Sequence, residues 1–363
     1  MCGIMGYIGP RQALPILIDG LRRLEYRGYD SAGVAILENG HIELRKAAGK
    51  LGVLEGKIAG QPLTGRVGIG HTRWATHGNP TDANAHPHSD CGGRHVVIHN
   101  GIIENYLQLR ERLVASGHRF RSDTDTEVIA HLIEEAAAAI STARPDRLEA
   151  AVRAAVRQTR GAYAIVVMSA DHPGRIVAVR MISPLIVGLG DGEMLLASDI
   201  PALLPHTRDV LIIGDGEMAI IEAGRAVITD LDGRPIARAP QRITWDAEMA
   251  EKGGYPHFML KEIHEQPRAL QETTMGRLDR DDAVELDGVA LPDGFAERLE
   301  KVWILACGTA YHAGLVGRWM IEHLARVPAE PDLASELRYR DPLISGATLA
   351  VVISQSGETA DTL

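Results

Sequence analysis

Met1-Cys2-Gly3-Ile4-Met5-Gly6-Tyr7-Ile8 opens the chain, and its reading decides the rest. Residues 3–8 are uncharged and mostly apolar, the pattern of a short buried strand. Cys2 stands immediately ahead of that strand. Its side chain is small enough for the initiator Met1 to be removed, which would leave Cys2 with a free α-amine. Such an amine ordinarily titrates near about pH 8, so much of it can accept a proton near neutrality. One residue would then hold both nucleophile and base, as threonine does at some N-termini. A buried or incidental cysteine is the ordinary alternative, and the first four residues alone do not separate the two.

Outward from that strand, Leu14, Leu17, Ile18, Leu21 and Leu24 recur at helical spacing. Ala35 to Leu37 and Ile42 to Leu44 flank Asn39-Gly40, a two-residue hairpin signal. Val67 to His71 and Val96 to His99 read as strands that run straight into polar loops. Thr124 and Glu127 have the spacing of a capping box ahead of Val128, Ile129, Leu132 and Ile133. A further helix over 146–160 turns Leu148, Val152 and Val156 inward. From 162 to 230 the period becomes two, giving strands at 162–168, 175–180, 185–189, 193–197, 211–213, 217–222 and 225–229. Mostly hairpin-linked strands with a few helices make the first part α+β.

Between 232 and 256 the composition shifts to Gly, Pro and charge, so a linker is expected at 241–256 between domains at 2–240 and 257–363. Beyond it the order is helix 257–275, which Pro267 should break or kink, strand 302–306, helix 310–325 and strand 348–353. That alternation begins a parallel, doubly wound α/β sheet. The chain stops at Leu363 just as the next helix should start, so this second domain is expected to be incomplete.

With 363 residues the chain has room for about two domains. Its net charge of −10 argues against broad binding to a nucleic-acid backbone. The three cysteines, at 2, 91 and 307, form no CxxC and no even disulfide framework. A basic leader and an apolar run of about 20 residues are both absent. A cytoplasmic protein with no membrane partner is expected.

Three polar clusters in the first domain carry candidate chemistry. Arg73, in His71-Thr72-Arg73-Trp74-Ala75-Thr76-His77-Gly78, could grip a carboxylate through two parallel hydrogen bonds. Asn100-Gly101, after a strand, offers a carboxamide and a backbone N–H suited to an oxyanion. Asp125 lies at a helix start, where it could face a substrate ammonium. An ordinary alternative exists for each: a surface ion pair, a simple turn, and a first-turn acid favoured by the helix dipole.

Taken together, the motifs resemble the class II glutamine amidotransferases, whose nucleophile-hydrolase domain begins at a processed cysteine. Cys2-Gly3-Ile4, Leu24 to Gly33, His71 to His77, His99 to Asn105 and Thr124 to Glu127 fall in family order. So do Lys261 to Pro267, Cys307-Gly308-Thr309 and Ser354 to Thr362. Within that class the chain is similar to the glutamine–fructose-6-phosphate aminotransferases (isomerizing). The resemblance implies a four-layer αββα sandwich followed by a partial sugar-isomerase (SIS) domain. It implies that Cys2 attacks glutamine's side-chain amide, with Asn100 and Gly101 holding the oxyanion. Arg73, Thr76, His77, Gly101 and Asp125 would bind glutamine, and Trp74 would gate ammonia, although a packing tryptophan is the competing reading.

In the second domain, the Ser-rich turn after the 348–353 strand is by itself a weak anion-site signal at a helix N-terminus. The resemblance places the sugar phosphate on Ser354, Gln355, Ser356 and Thr359, with Cys307, Gly308 and Thr309 on the sugar side. Ala310 stands where the family usually has serine, which removes one hydroxyl. The implied partners are glutamine, fructose 6-phosphate and a second copy of the chain in a homodimer, without an organic cofactor. Metal is not expected either: the crowd of His71, His77, His86, His88, Cys91, His95 and His99 matches no zinc spacing. Two rivals stand beside this reading. One is a class II amidotransferase with another acceptor, which would need a phosphoribosyl or nucleotide pyrophosphate loop. The other is a non-catalytic sugar-phosphate-binding regulator.

Overall fold

The computed structural model describes residues 2–61, 63–74, 78–244, 255–274, 284, 289, 291–354 and 362. The chain divides into two compact units, Met1–Glu251 and Lys252–Leu363. The first unit begins β1 (Gly3–Ile8), α1 (Ala13–Arg23), β2 (Ser31–Glu38), β3 (His41–Ala48), α2 (Leu51–Ile58) and β4 (Val67–Arg73). It continues β5 (His88–Ser89), β6 (His95–Gly101), α3 (Tyr106–Ala115), α4 (Glu127–Ala139) and α5 (Arg147–Val156). The remaining strands are β7 (Tyr163–Ser169), β8 (Ile176–Met181), β9 (Ile186–Leu189), β10 (Met194–Ala197), β11 (Asp209–Ile212), β12 (Glu217–Glu222), β13 (Arg225–Asp230) and β14 (Gln241–Arg242).

These strands form an eight-stranded sheet, β14-β11-β9-β10-β1-β4-β2-β3, and a six-stranded sheet, β13-β12-β8-β7-β6-β5. All their pairings are antiparallel. Alternation along each strand sorts its side chains between layers. On β1, Met5 and Tyr7 join α1 and α2 in one apolar cluster, while Ile4 and Ile8 join a second. On β7, Ala164, Val166 and Met168 enter that second cluster. Tyr163, Ile165 and Val167 meet α3, α4 and α5 in a third. Three cores separated by two sheets make four layers, αββα. Because both faces of β1 and β7 are covered, these strands read as continuous apolar runs.

The predicted capping box at Thr124 is replaced by another arrangement. Helix α4 starts at Glu127, and its N-cap residue Thr126 makes no side-chain cap bond. Glu127 accepts instead from the N–H groups of Arg121 and Ser122, at 2.7 Å each, and from the Ser122 hydroxyl at 2.6 Å. Thr124 turns its hydroxyl to buried His88, 3.1 Å away. A buried carboxylate needs several donors, and the preceding loop supplies more of them than a one-bond cap.

The second unit contains α6 (Phe258–Thr274), β15 (Lys301–Ala306), α7 (Gly308–Leu324), β16 (Ala329–Leu333), α8 (Ala334–Tyr339) and β17 (Thr348–Ile353). Its sheet runs β16-β15-β17 with both pairings parallel. Val302 and Ile304 of β15 pack with Ile321 of α7, whereas Trp303 and Leu305 pack with Ala334 and Leu337 of α8. Helices therefore cover opposite faces, which is double winding. Pro267 lies inside α6, which remains helical on both sides of it. Among the described residues, no helix is long and apolar enough to cross a membrane.

Candidate active site

Two strand ends, one from each large sheet, meet at Cys2. Register places Gly3 opposite Thr72, so the residues following β4 lie beside the start of β1. The Trp74 N–H donates to Cys2 Sγ at 3.2 Å, and the thiol lies 3.6 Å from the Trp74 carbonyl. From the other sheet, Asn100 at the end of β6 donates its Nδ2 to the Cys2 carbonyl at 2.9 Å. Arg27 Nε donates to the same oxygen at 3.3 Å. Arg27 is itself fixed by Asp199, 2.8 Å away, which also accepts from the Tyr26 hydroxyl at 2.5 Å. Two residues beyond Cys2, Ile4 donates to Ser198 Oγ at 3.0 Å and accepts from the Ser198 N–H at 3.1 Å. Burial pushes the Cys2 thiol above its ordinary pKa, with the Trp74 N–H the main opposing influence. The sulfur thus stays protonated near neutrality unless a base is at hand.

Asn100 does not hold its orientation alone. His71 Nε2 lies 3.0 Å from Asn100 Oδ1 and 3.0 Å from the His99 carbonyl. Both partners are acceptors, which assigns the proton to Nε2 and turns the Asn100 NH₂ toward Cys2. Complete burial lowers the His71 pKa to about 3, so the ring is neutral at working pH. The His86 ring stacks on it at 4.1 Å. His86 Nδ1 accepts from the His99 N–H at 3.3 Å, and its Nε2 meets Thr126 Oγ1 at 3.2 Å. Thr126 also meets His99 Nδ1 at 2.9 Å. These buried imidazoles knit β4, the 84–88 turn, β6 and the 122–126 loop together, and burial lowers the pKa of His86 as it does that of His71.

The other sequence-predicted residues of the first unit fall around the same strand ends. Arg73 is buried at the end of β4, and its Nη2 donates to the Gly78 carbonyl at 3.1 Å. Gly28 lies against the Arg73–Trp74 peptide, where an added Cβ would come 2.7 Å from the Arg73 carbonyl carbon. Gly101 has φ +121°, and a Cβ there would meet the Ala162 carbonyl oxygen at 2.0 Å. Asp125 is buried, accepts from the Ile103 N–H at 2.8 Å and lies 4.0 Å from His99 Nδ1. It therefore sits beside the chain leaving Asn100-Gly101. Trp74 is half exposed, with its ring edge-on to Tyr29 at 5.3 Å. Thr76 and His77 lie outside the described residues.

In the second unit, Cys307 is the N-cap residue of α7, so Gly308 and Thr309 form its first turn. Ser354 follows β17. Ala306 pairs with Ile353, so Cys307 and Ser354 leave neighbouring parallel strands at their carboxyl ends. The chain moves from β15 to β16 on one side and returns to β17 on the other. Open α/β sheets hold ligands at such a switch point. Gln355, Ser356 and Thr359 lie outside the described residues.

Sequence reasoning assigned no role to Arg27 or Ser198 and took His71 only as part of a motif. Arg27 lay within the quoted Leu24–Gly33 run, but its partners Cys2 and Asp199 are distant in sequence.

Comparison with known proteins agrees with this geometry. Residues 71–205 match the model of a glutamine amidotransferase domain, and 297–363 match that of the SIS domain. The chain is 56% identical over 364 residues to a glutamine–fructose-6-phosphate aminotransferase [isomerizing] of Symbiobacterium thermophilum, covering all of this chain and 59% of that protein. It is 55% identical to the Thermus thermophilus protein of the same name, covering 58% of it. The chain thus spans about three-fifths of the length of the curated relatives it matches. A glutamine phosphoribosylpyrophosphate amidotransferase structure from B. subtilis shares the fold, with TM-score 0.55 at 20% identity over 98% of this chain and 69% of that one. A glutamine amidotransferase match followed by a SIS match, with identity above half along the whole chain, makes this chain similar throughout its length to the glutamine–fructose-6-phosphate aminotransferases.

Proposed function

We propose that this chain hydrolyses glutamine at Cys2, and that the whole protein passes the ammonia to fructose 6-phosphate to form glucosamine 6-phosphate. The observation that carries the reading is the clamp on Cys2. Its carbonyl is held by Asn100 and Arg27, and its thiol by the Trp74 N–H. With Met1 removed, the α-amine takes the thiol proton as sulfur attacks the glutamine amide carbon. The carbonyl π pair moves to oxygen, where the second N–H of Asn100 Nδ2 and the Gly101 N–H stabilise it. Collapse expels the amide nitrogen, which takes the proton from the α-ammonium and leaves as ammonia. Water then attacks the thioester, the amine accepting its proton, and glutamate departs with the thiol restored. Arg73 would pair with the substrate carboxylate and Asp125 with its ammonium, while Thr76 and His77 complete the pocket. Trp74, half exposed directly beside the sulfur, would gate the outgoing ammonia.

For the acceptor, the switch-point placement of Cys307, Gly308, Thr309 and Ser354 supports a sugar-phosphate site, which Gln355, Ser356 and Thr359 would complete. We assign the glutaminase domain to 2–240, the linker to 241–256 and the SIS portion to 257–363. A cytoplasmic homodimer is the assembly the family implies, and the free cysteines 2, 91 and 307 fit a reducing compartment. Cys2→Ala is the test. Glutamate release should vanish while the unfolding midpoint is kept; continued turnover would place the nucleophile elsewhere.

A further inference from the structure

On the far side of the 122–126 loop, four side chains from three segments converge. Cys91 lies in the turn between β5 and β6, His118 in the connection from α3 to α4, and His131 and Glu134 one turn apart on α4. One donor atom from each falls within 4.8 Å of all the others. Cys91 Sγ is 3.7 Å from His118 Nδ1 and 3.6 Å from His131 Nδ1. Glu134 Oε2 is 2.9 Å from His118 Nδ1 and 3.4 Å from His131 Nδ1. A tetrahedral zinc ion with bonds of about 2.3 Å to sulfur and about 2.0 Å to nitrogen or oxygen separates S from N by about 3.6 Å and N from O by about 3.3 Å. Three of these four spacings match such a shell, and the fourth, Glu134 to His118, is about 0.4 Å shorter than it. Two imidazoles aiming the same nitrogen at one sulfur and one oxygen also exceed what hydrogen bonding needs, since each Nδ1 carries at most one proton.

We propose that Cys91, His118, His131 and Glu134 form a structural zinc(II) site. Four protein donors of mixed S, N and O type close the shell, which leaves no open position for catalysis. The surroundings are those of a built site. The Arg119 N–H donates to Cys91 Sγ at 3.4 Å, and the Cys91 N–H to Glu134 Oε2 at 3.3 Å. Behind His131, Glu127 Oε1 stands 3.7 Å from Nε2, where a carboxylate orients a metal-bound imidazole. The Phe120 ring packs on His131 at 4.4 Å and keeps that side apolar. Bound zinc would tie the β5–β6 turn to the segment 118–126 and so fix the loop that carries Asp125. The site departs from the expectation of no metal because its ligands, spread from 91 to 134, form no short motif.

The full chain, stripped with chelator and re-titrated with zinc and with cobalt(II), tests this. Expected are one equivalent of metal per chain, a higher unfolding temperature with zinc, and a thiolate-to-cobalt charge-transfer band. Cys91→Ser should abolish that band, and both it and His118→Ala should weaken binding by at least roughly tenfold, since losing a group bonded to the metal costs no less than losing one that only orients such a group. Cys2→Ala should bind as before. His118 sits at the rim, so its variant serves if Cys91→Ser fails to fold. Folded chain that takes up no stoichiometric metal would overturn the proposal, as would binding that is lost with Cys2 but kept without Cys91 and His118.

Discussion

Asn100 carries two donor hydrogens on one nitrogen, and one is engaged by the Cys2 carbonyl. In the proposed mechanism the other serves the oxyanion, and its direction depends on His71 holding Oδ1. Asn100→Ala should lower kcat by about 10²–10³ with a smaller change in KM, because the bond matters most as charge develops. Steady-state glutaminase kinetics check this. His71→Phe should act on the same step through Asn100, lowering kcat more than KM. Because His71 is neutral, the shape of the pH profile above about pH 6 should be unchanged. A shifted profile would instead make His71 a proton carrier. Cys2, Arg73, Asn100 and Asp125 could be singled out as candidates because each offers chemistry that its local pattern advertises, and the structure places them around the same strand ends. His71 and Arg27 were not, since their roles depend on partners contributed by other strands.

At the scale of elements, the strand ends must approach closely for the site to exist. Gly101 bends β6 away with φ +121° while the Ala162 carbonyl fills the space a Cβ would take. Gly101→Ala should therefore cost more than about 1–3 kcal/mol in chemical denaturation, strain and clash adding together. Strands of 162–230 were legible to within a residue or two because they are short, mostly apolar runs and their turns carry Asp-Gly and Ala-Gly. Helices α2 and α3 were missed: only Leu109 and Leu113 of α3 turn inward, too few to set a period. The capping-box pattern misled because a buried histidine competed for the Thr124 hydroxyl.

Across the whole molecule, the sheet-to-sheet core holds the two halves of the site in register. Ile98, fully buried there, should cost about 2–5 kcal/mol on replacement by Ala. Burial holds His71, His86 and His88 neutral, with pKa values well below the ordinary one. Unfolded histidine takes up a proton near about pH 6.5, which the folded rings refuse. Stability is therefore complete above that pH and declines as pH falls below it, by up to about 1.4 kcal/mol per unit for each such ring. Denaturant midpoints measured between about pH 7 and about pH 5 should fall, and a flat response would contradict the neutral assignment. The fold class was legible in the order of periods along the chain, whereas the partners of each buried imidazole emerge only when two sheets stack. The most direct measurement is tandem mass spectrometry of the N-terminal peptide after treatment with an electrophilic glutamine analogue. The expected result is a peptide without Met1, labelled on Cys2 in proportion to lost glutaminase activity. Retained Met1 in active protein, or a label on Cys91 or Cys307 that tracks inactivation, would contradict it.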